Sequence, residues 1–130
     1  MKLEESSEAL ERALSLKEVA FGADHRHVAD TLAVLGSLHL TGNEYPKADL
    51  ALERALTIWS QSPPDDALSL AETLGNLALL RQVQNRNAEA IDLYESAIPI
   101  FEQRLGPHSA SASRARDNQR ALETGPASGI

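Results

Sequence analysis

Four histidines have the widest chemical reach in this 130-residue chain. His25 and His27 stand two apart, a spacing that on a helix points the side chains to different sides, so a shared metal ion would need a loop. His39 and His108 have no histidine or carboxylate four residues on. Helix-start and surface roles account for all four. Asp65-Asp66 is half of a metal-binding pattern, but two adjacent acids after Pro63-Pro64 are the usual material of helix caps. No glycine-rich phosphate loop, nucleophile elbow or metalloprotease signature occurs. The absence of cysteine removes thiolate chemistry, disulfides and cysteine-ligated zinc. The expectation is a protein that is not an enzyme and needs no cofactor and no metal.

Charge points the same way. A formal net charge of −7 argues against nucleic acid or an anionic membrane as the main partner. Residues 1–8 lack the apolar run of a signal peptide, and no stretch approaches the ~20 apolar residues of a membrane-spanning helix. A cytoplasmic protein is expected. Aromatic residues are scarce (Phe21, Tyr45, Trp59, Tyr94 and Phe101), so the core must be built from Leu, Ala and Ile. That composition suits helices packing closely on small residues.

The elements that position these residues repeat. Ala-Leu-Glu-Arg-Ala-Leu-Ser-Leu at 9–16 returns as Ala-Leu-Glu-Arg-Ala-Leu-Thr-Ile at 51–58, and more weakly as Leu-Tyr-Glu-Ser-Ala-Ile-Pro-Ile at 93–100. The period is 42 residues both times. A fixed period of this length marks a stack of similar units, each too small to bury its own apolar face. Glu11-Arg12 and Glu53-Arg54 fall on the same turn of successive units; local ion pairs on a solvated face are the expected reading, and a charge ladder for a partner is the alternative.

Hydrophobic spacing predicts a first helix over about 4–21, stopped by Gly22. Asp24 is the expected N-cap of a second helix over about 27–40, with Val28, Leu32, Leu35 and Leu38 on one stripe. Ala29 and Gly36 offer small surfaces for close approach. Thr41-Gly42-Asn43 ends that helix, and Pro46 opens the third. After the break at Ser62-Pro63-Pro64, Asp65 or Asp66 caps a fourth helix that repeats the second. A fifth, with Asn87 as expected N-cap, repeats the third. Pro99 predicts a kink in it, not a terminus, since the apolar pattern continues to Leu105. The last helix, about 109–123, has Arg116 and Gln119 where the stripe leucines stood, as a solvating cap does. Residues 124–130 are expected to be a flexible tail.

Small residues at Gly36/Ala78, Ala48/Ala90 and Ala55/Ala97, with large ones at Leu32/Leu74, Leu35/Leu77 and Leu52/Tyr94, resemble the tetratricopeptide repeat. The 42-residue period, with Phe21-Gly22-Ala23-Asp24-His25, Leu105-Gly106-Pro107-His108 and the helix at 71–80, is similar to the kinesin-light-chain subgroup. The resemblance covers residues 6 to about 108. It implies an all-α, right-handed superhelical stack of antiparallel helix pairs over residues 1–123, with one repeat at about 25–62 and another at about 66–105. It also implies a protein-interaction module whose first helices line a concave groove for an extended peptide. Carried over, that lining is Asp30, Ala33, Val34 and Ser37, then Glu72, Asn76, Leu79 and Val83, then Arg114 and Asn118. Asn76 stands where the family often places an asparagine that holds a peptide backbone, because an amide both donates and accepts. Ala33 and Ser37 replace the residues that clamp a terminal carboxylate in chaperone-binding members.

The expected partner is therefore a protein or peptide, with no nucleic acid and no membrane. The alternative is a scaffold segment of a longer repeat protein, or a homo-oligomer. Either would pack through the open first helix with Leu10, Leu14 and Leu16, since a stack end leaves apolar surface exposed.

Overall fold

The computed structural model describes residues 2–61 and 64–124. Those residues form six α-helices and no strand: α1 Lys2–Phe21, α2 Arg26–Thr41, α3 Tyr45–Ser60, α4 Ala67–Val83, α5 Asn87–Leu105 and α6 Ala110–Thr124. A single 3-10 turn, Pro64–Asp66, precedes α4. Ser62 and Pro63 of the expected break, and the expected tail beyond Thr124, lie outside the described residues. The fold is an all-α repeat. It divides into two compact units, residues 1–69 and 70–130.

In the first unit α2 packs against both α1 and α3. The stripe read from the sequence supplies the seam: Val28, Ala29, Leu32 and Leu35 of α2 are buried, as are Ala48, Leu52, Ala55, Ile58 and Trp59 of α3. Gly36 of α2 lies directly against Leu52 of α3. A Cβ built there would lie 2.6 Å from Leu52 Cγ. Polar ties hold α1 in place. Lys17 Nζ donates to Thr31 Oγ1 at 2.8 Å, and Arg54 pairs with Glu18 while donating to the Ala23 carbonyl at 3.0 Å.

In the second unit Ala71, Leu74, Leu77, Ala78 and Leu80 of α4 are buried together with Ala90, Tyr94, Ala97 and Phe101 of α5. Helix α5 continues through Pro99 to Leu105 without a terminus. Helix α6 packs on α5 with Ala112 and Ala115 buried. Its polar residues are less purely solvating than the sequence suggests. Arg116 donates to Glu102 and to the Pro107 carbonyl, both at 2.7 Å, and Gln119 reaches the Ile91 carbonyl at 3.4 Å. A helix that lost its leucines is held instead by hydrogen bonds to α5 and to the turn before it.

The turns within the two pairs are copies. Asn43 and Asn85 each take a left-handed φ, 63° and 62°, a conformation that asparagine tolerates better than most side chains. After each, the backbone closes in the same way, Glu44 N–H to the His39 carbonyl and Arg86 N–H to the Arg81 carbonyl, both 2.8 Å. Gly42, the residue that composition alone would nominate for this role, has φ −84°. Gly22 and Gly106, with φ 94° and 96°, do end α1 and α5.

Two capping expectations are corrected. Helix α2 is capped by His25, not Asp24: the His25 Nδ1 accepts the His27 N–H at 3.1 Å. The residue placed three before Val28, where the chain turns extended, is the histidine. Helix α5 is preceded by Arg86 at the cap position without a side-chain cap bond, and Asn87 is its first helical residue. Asp66 immediately precedes α4. It is buried and pairs with Arg26 Nη2 at 3.0 Å.

Candidate functional site

One concavity brings together most of the groove residues expected from the second and third first helices. It encloses about 260 Å³ and is lined from α4 by Glu72, Gly75, Asn76 and Leu79, and from α6 by Arg114 and Asn118. Tyr94 and Phe101 of α5 form part of its wall. The 42-residue period explains the assembly. Glu72 and Arg114 occupy the same register of successive first helices, as do Asn76 and Asn118, so the cavity has a charged rung and an amide rung.

The sequence reading missed Tyr94 as a site residue. Its ring is buried and its hydroxyl lies between the two first helices, 3.3 Å from Gln82 Oε1 and 3.2 Å from the Asn118 amide nitrogen, which donates to it. A tyrosine where the other copy has Leu52 was the available signal, because a buried phenol needs a polar partner. Burial pushes the Tyr94 hydroxyl above the ordinary phenol range, opposed in part by the Asn118 bond. The neutral phenol is thus the form that the fold keeps. Its contribution to stability is complete below pH ~10 and is lost as pH rises through the raised value. Tyr94→Phe should remove a late step from the tyrosinate absorbance titration and cost about 1 kcal/mol in urea denaturation. An unchanged titration curve would contradict this.

Asn76, Glu72 and Arg114 make no hydrogen bond or ion pair among the described residues, so these groups are available to a ligand. Val83 is exposed and does not line the cavity. Asp30, Ala33, Val34 and Ser37 lie on α2 in the first unit, on the face opposite the buried stripe, with Val34 54% exposed.

The histidines fall elsewhere. Because His25 is extended and not helical, it does not point away from His27: the rings stand 4.9 Å apart, and both contact Phe21 at 4.8 Å. With Nδ1 accepting a backbone N–H, His25 is committed as a cap. His39 is buried, its Nδ1 2.9 Å from Glu44 Oε1. That bond, with Lys47 nearby, holds the Glu44 carboxyl below the usual carboxylate range. Among the described residues no group of three or more His, Asp or Glu is placed to hold a metal ion. No described helix is long and apolar enough to cross a membrane.

On α1, Leu10 and Leu14 are half-buried on the side facing α2, whereas Leu16 is 71% and Val19 88% exposed. Val19 was not singled out from the sequence. It follows Leu16 by three residues and shares its side of the helix.

Residues 1–61 and 70–111 match family models described as tetratricopeptide repeat. The chain is a tetratricopeptide-repeat protein. Among the solved structures it resembles is the crystal structure of BtubC (BKLC) from P. vanneervenii, with a TM-score of 0.68 at 20% sequence identity. The likeness covers 94% of this chain and 49% of that one, so the chain spans about half the length of that relative. No curated protein sequence matches significantly. Tetratricopeptide repeats are in general protein–protein interaction modules, typically without catalytic activity.

Proposed function

We propose that this tetratricopeptide-repeat protein is a non-catalytic interaction module that binds an extended protein segment in the cavity between α4 and α6. The carrying observation is the unpartnered Asn76 facing a cavity that also holds Asn118. A side-chain amide satisfies a peptide group by donating and accepting, whatever the ligand's sequence. Leu79, Tyr94 and Phe101 add apolar wall against which alternate ligand side chains can rest. Shallow, open and mixed in polarity, the cavity suits a peptide better than a compact small molecule.

The test uses ten-residue peptides selected from a random displayed library on the purified chain. Asn76→Ala and Arg114→Ala should each weaken the selected peptides about tenfold, the equivalent of about 1.4 kcal/mol. Helical content should not change. Affinities unaltered in both variants, or no amide chemical-shift change at Asn76 and Asn118 on peptide addition, would overturn the reading.

The exposed side of α1 favours a second reading, self-association. Leu16 and Val19, on one helix face at 71% and 88% exposure, form an apolar pair that a second copy could cover. Light scattering at high concentration should give a mass above that of one chain, reverting to one chain in Leu16→Lys/Val19→Lys. A strict monomer in the unaltered protein would discard it.

A further inference from the structure

The charged rung of the cavity says what kind of peptide fits. Glu72 on α4 and Arg114 on α6 occupy equivalent positions and line the same cavity, yet they do not pair with each other or with any described group. The other arginines of α6 are engaged: Arg116 with Glu102 and the Pro107 carbonyl, Arg120 with Asp117 at 3.9 Å. Arg114 is the α6 guanidinium left for a ligand. On the opposite wall, Glu72 is a carboxylate in the same state. A lone cation and a lone anion on two walls of one cavity form a fixed dipole across it. A neutral ligand leaves that dipole unanswered, and a ligand with one sign of charge satisfies one wall while repelling the other.

The geometry points to an ampholytic ligand: an extended segment that sets a basic side chain over Glu72 and an acidic side chain over Arg114, its backbone held at Asn76 and Asn118. An extended chain advances ~3.3 Å per residue and returns to the same face every second residue. Directly packed helices stand about 8–10 Å apart, a lower bound for two helices that flank a cavity. The shortest same-face spacing that can answer both charges is therefore two residues, the long side chains taking up the remainder. Amides at Asn76 and Asn118 accept a backbone running either way, so both orders, basic-x-acidic and acidic-x-basic, satisfy the rung. The arginine adds directionality of its own, since its planar fork pairs with a carboxylate through two parallel bonds. This inference rests on the groove reading above and adds the charge pattern to it.

The test compares peptide pools selected from the same library on three proteins: the unaltered chain, Arg114→Glu and Glu72→Arg. Both positions are exposed and unpartnered among the described residues, so neither change disturbs the packing, which circular dichroism checks. The unaltered chain should enrich opposite charges two residues apart. Arg114→Glu should enrich two basic residues at that spacing, and Glu72→Arg two acidic ones. Pools with the same charge pattern from all three proteins, while Asn76 and Asn118 amide shifts still respond to peptide, would overturn the inference and leave the groove reading standing. Peptides that leave those amide shifts unmoved would overturn both.

Discussion

Replacing Leu77 with alanine should lower the stability of the fold by about 2–5 kcal/mol, and replacing Leu35 should do the same. Both side chains are all but inaccessible, at 2% and 5% exposure, and both project from a first helix into the seam with its partner. Deleting two methyl groups and the methine that carries them removes their transfer free energy and leaves a cavity that close-packed neighbours fill only in part. Arg116→Ala, at the register of the stripe leucines in α6, should cost about 1 kcal/mol, since it loses one half-exposed ion pair and one hydrogen bond to a turn. Urea denaturation followed by circular dichroism measures all three. The single buried Trp59 supplies a fluorescence readout for the first unit. If Leu77→Ala or Leu35→Ala melted within about 0.5 kcal/mol of the parent, the size of an ordinary surface change, the assignment of these leucines to a packed seam would be wrong.

Two glycines in equivalent helices should respond to alanine with opposite signs. In a helix interior glycine is less favourable than alanine by about 0.5–1 kcal/mol, because it loses more backbone freedom on folding. At Gly75 a new Cβ would meet nothing within 4 Å. Gly75→Ala should therefore stabilise by about that amount. At Gly36 the same Cβ would lie 2.6 Å from Leu52 Cγ and 2.8 Å from its Cδ2, and Leu52 is fully buried. There the gain in helix propensity is outweighed by overpacking, which costs about 1–3 kcal/mol. Residues in contact couple, so Gly36→Ala should cost less when combined with Leu52→Val. Thermal denaturation of the two single variants and the double variant decides it. A stabilising Gly36→Ala would mean that α2 and α3 approach less closely than described.

The repeat was legible because it is written in chain-local terms. Copies 42 residues apart set the helix count, the stripe leucines and the small residues at 36 and 78, since helical periodicity and the need for small residues at a close crossing are properties of spacing alone. It is the resemblance to the tetratricopeptide repeat, and not the spacing by itself, that implies a shared groove for Glu72, Asn76, Arg114 and Asn118. What the sequence could not give was whatever depends on where the backbone leaves the helix and on which groups meet across helices. His25 caps α2 because the chain is extended at 25 and not at 24, and that change of one residue brings together two histidine rings that a helix would hold apart. Asn43, not Gly42, takes the left-handed turn position. Tyr94 became a site residue only when α4 and α6 closed over its hydroxyl. Periodicity fixes which face of a helix is apolar, but a cap, a turn or a cross-helix hydrogen bond depends on a distance between atoms remote in sequence, and only the packed structure sets that distance.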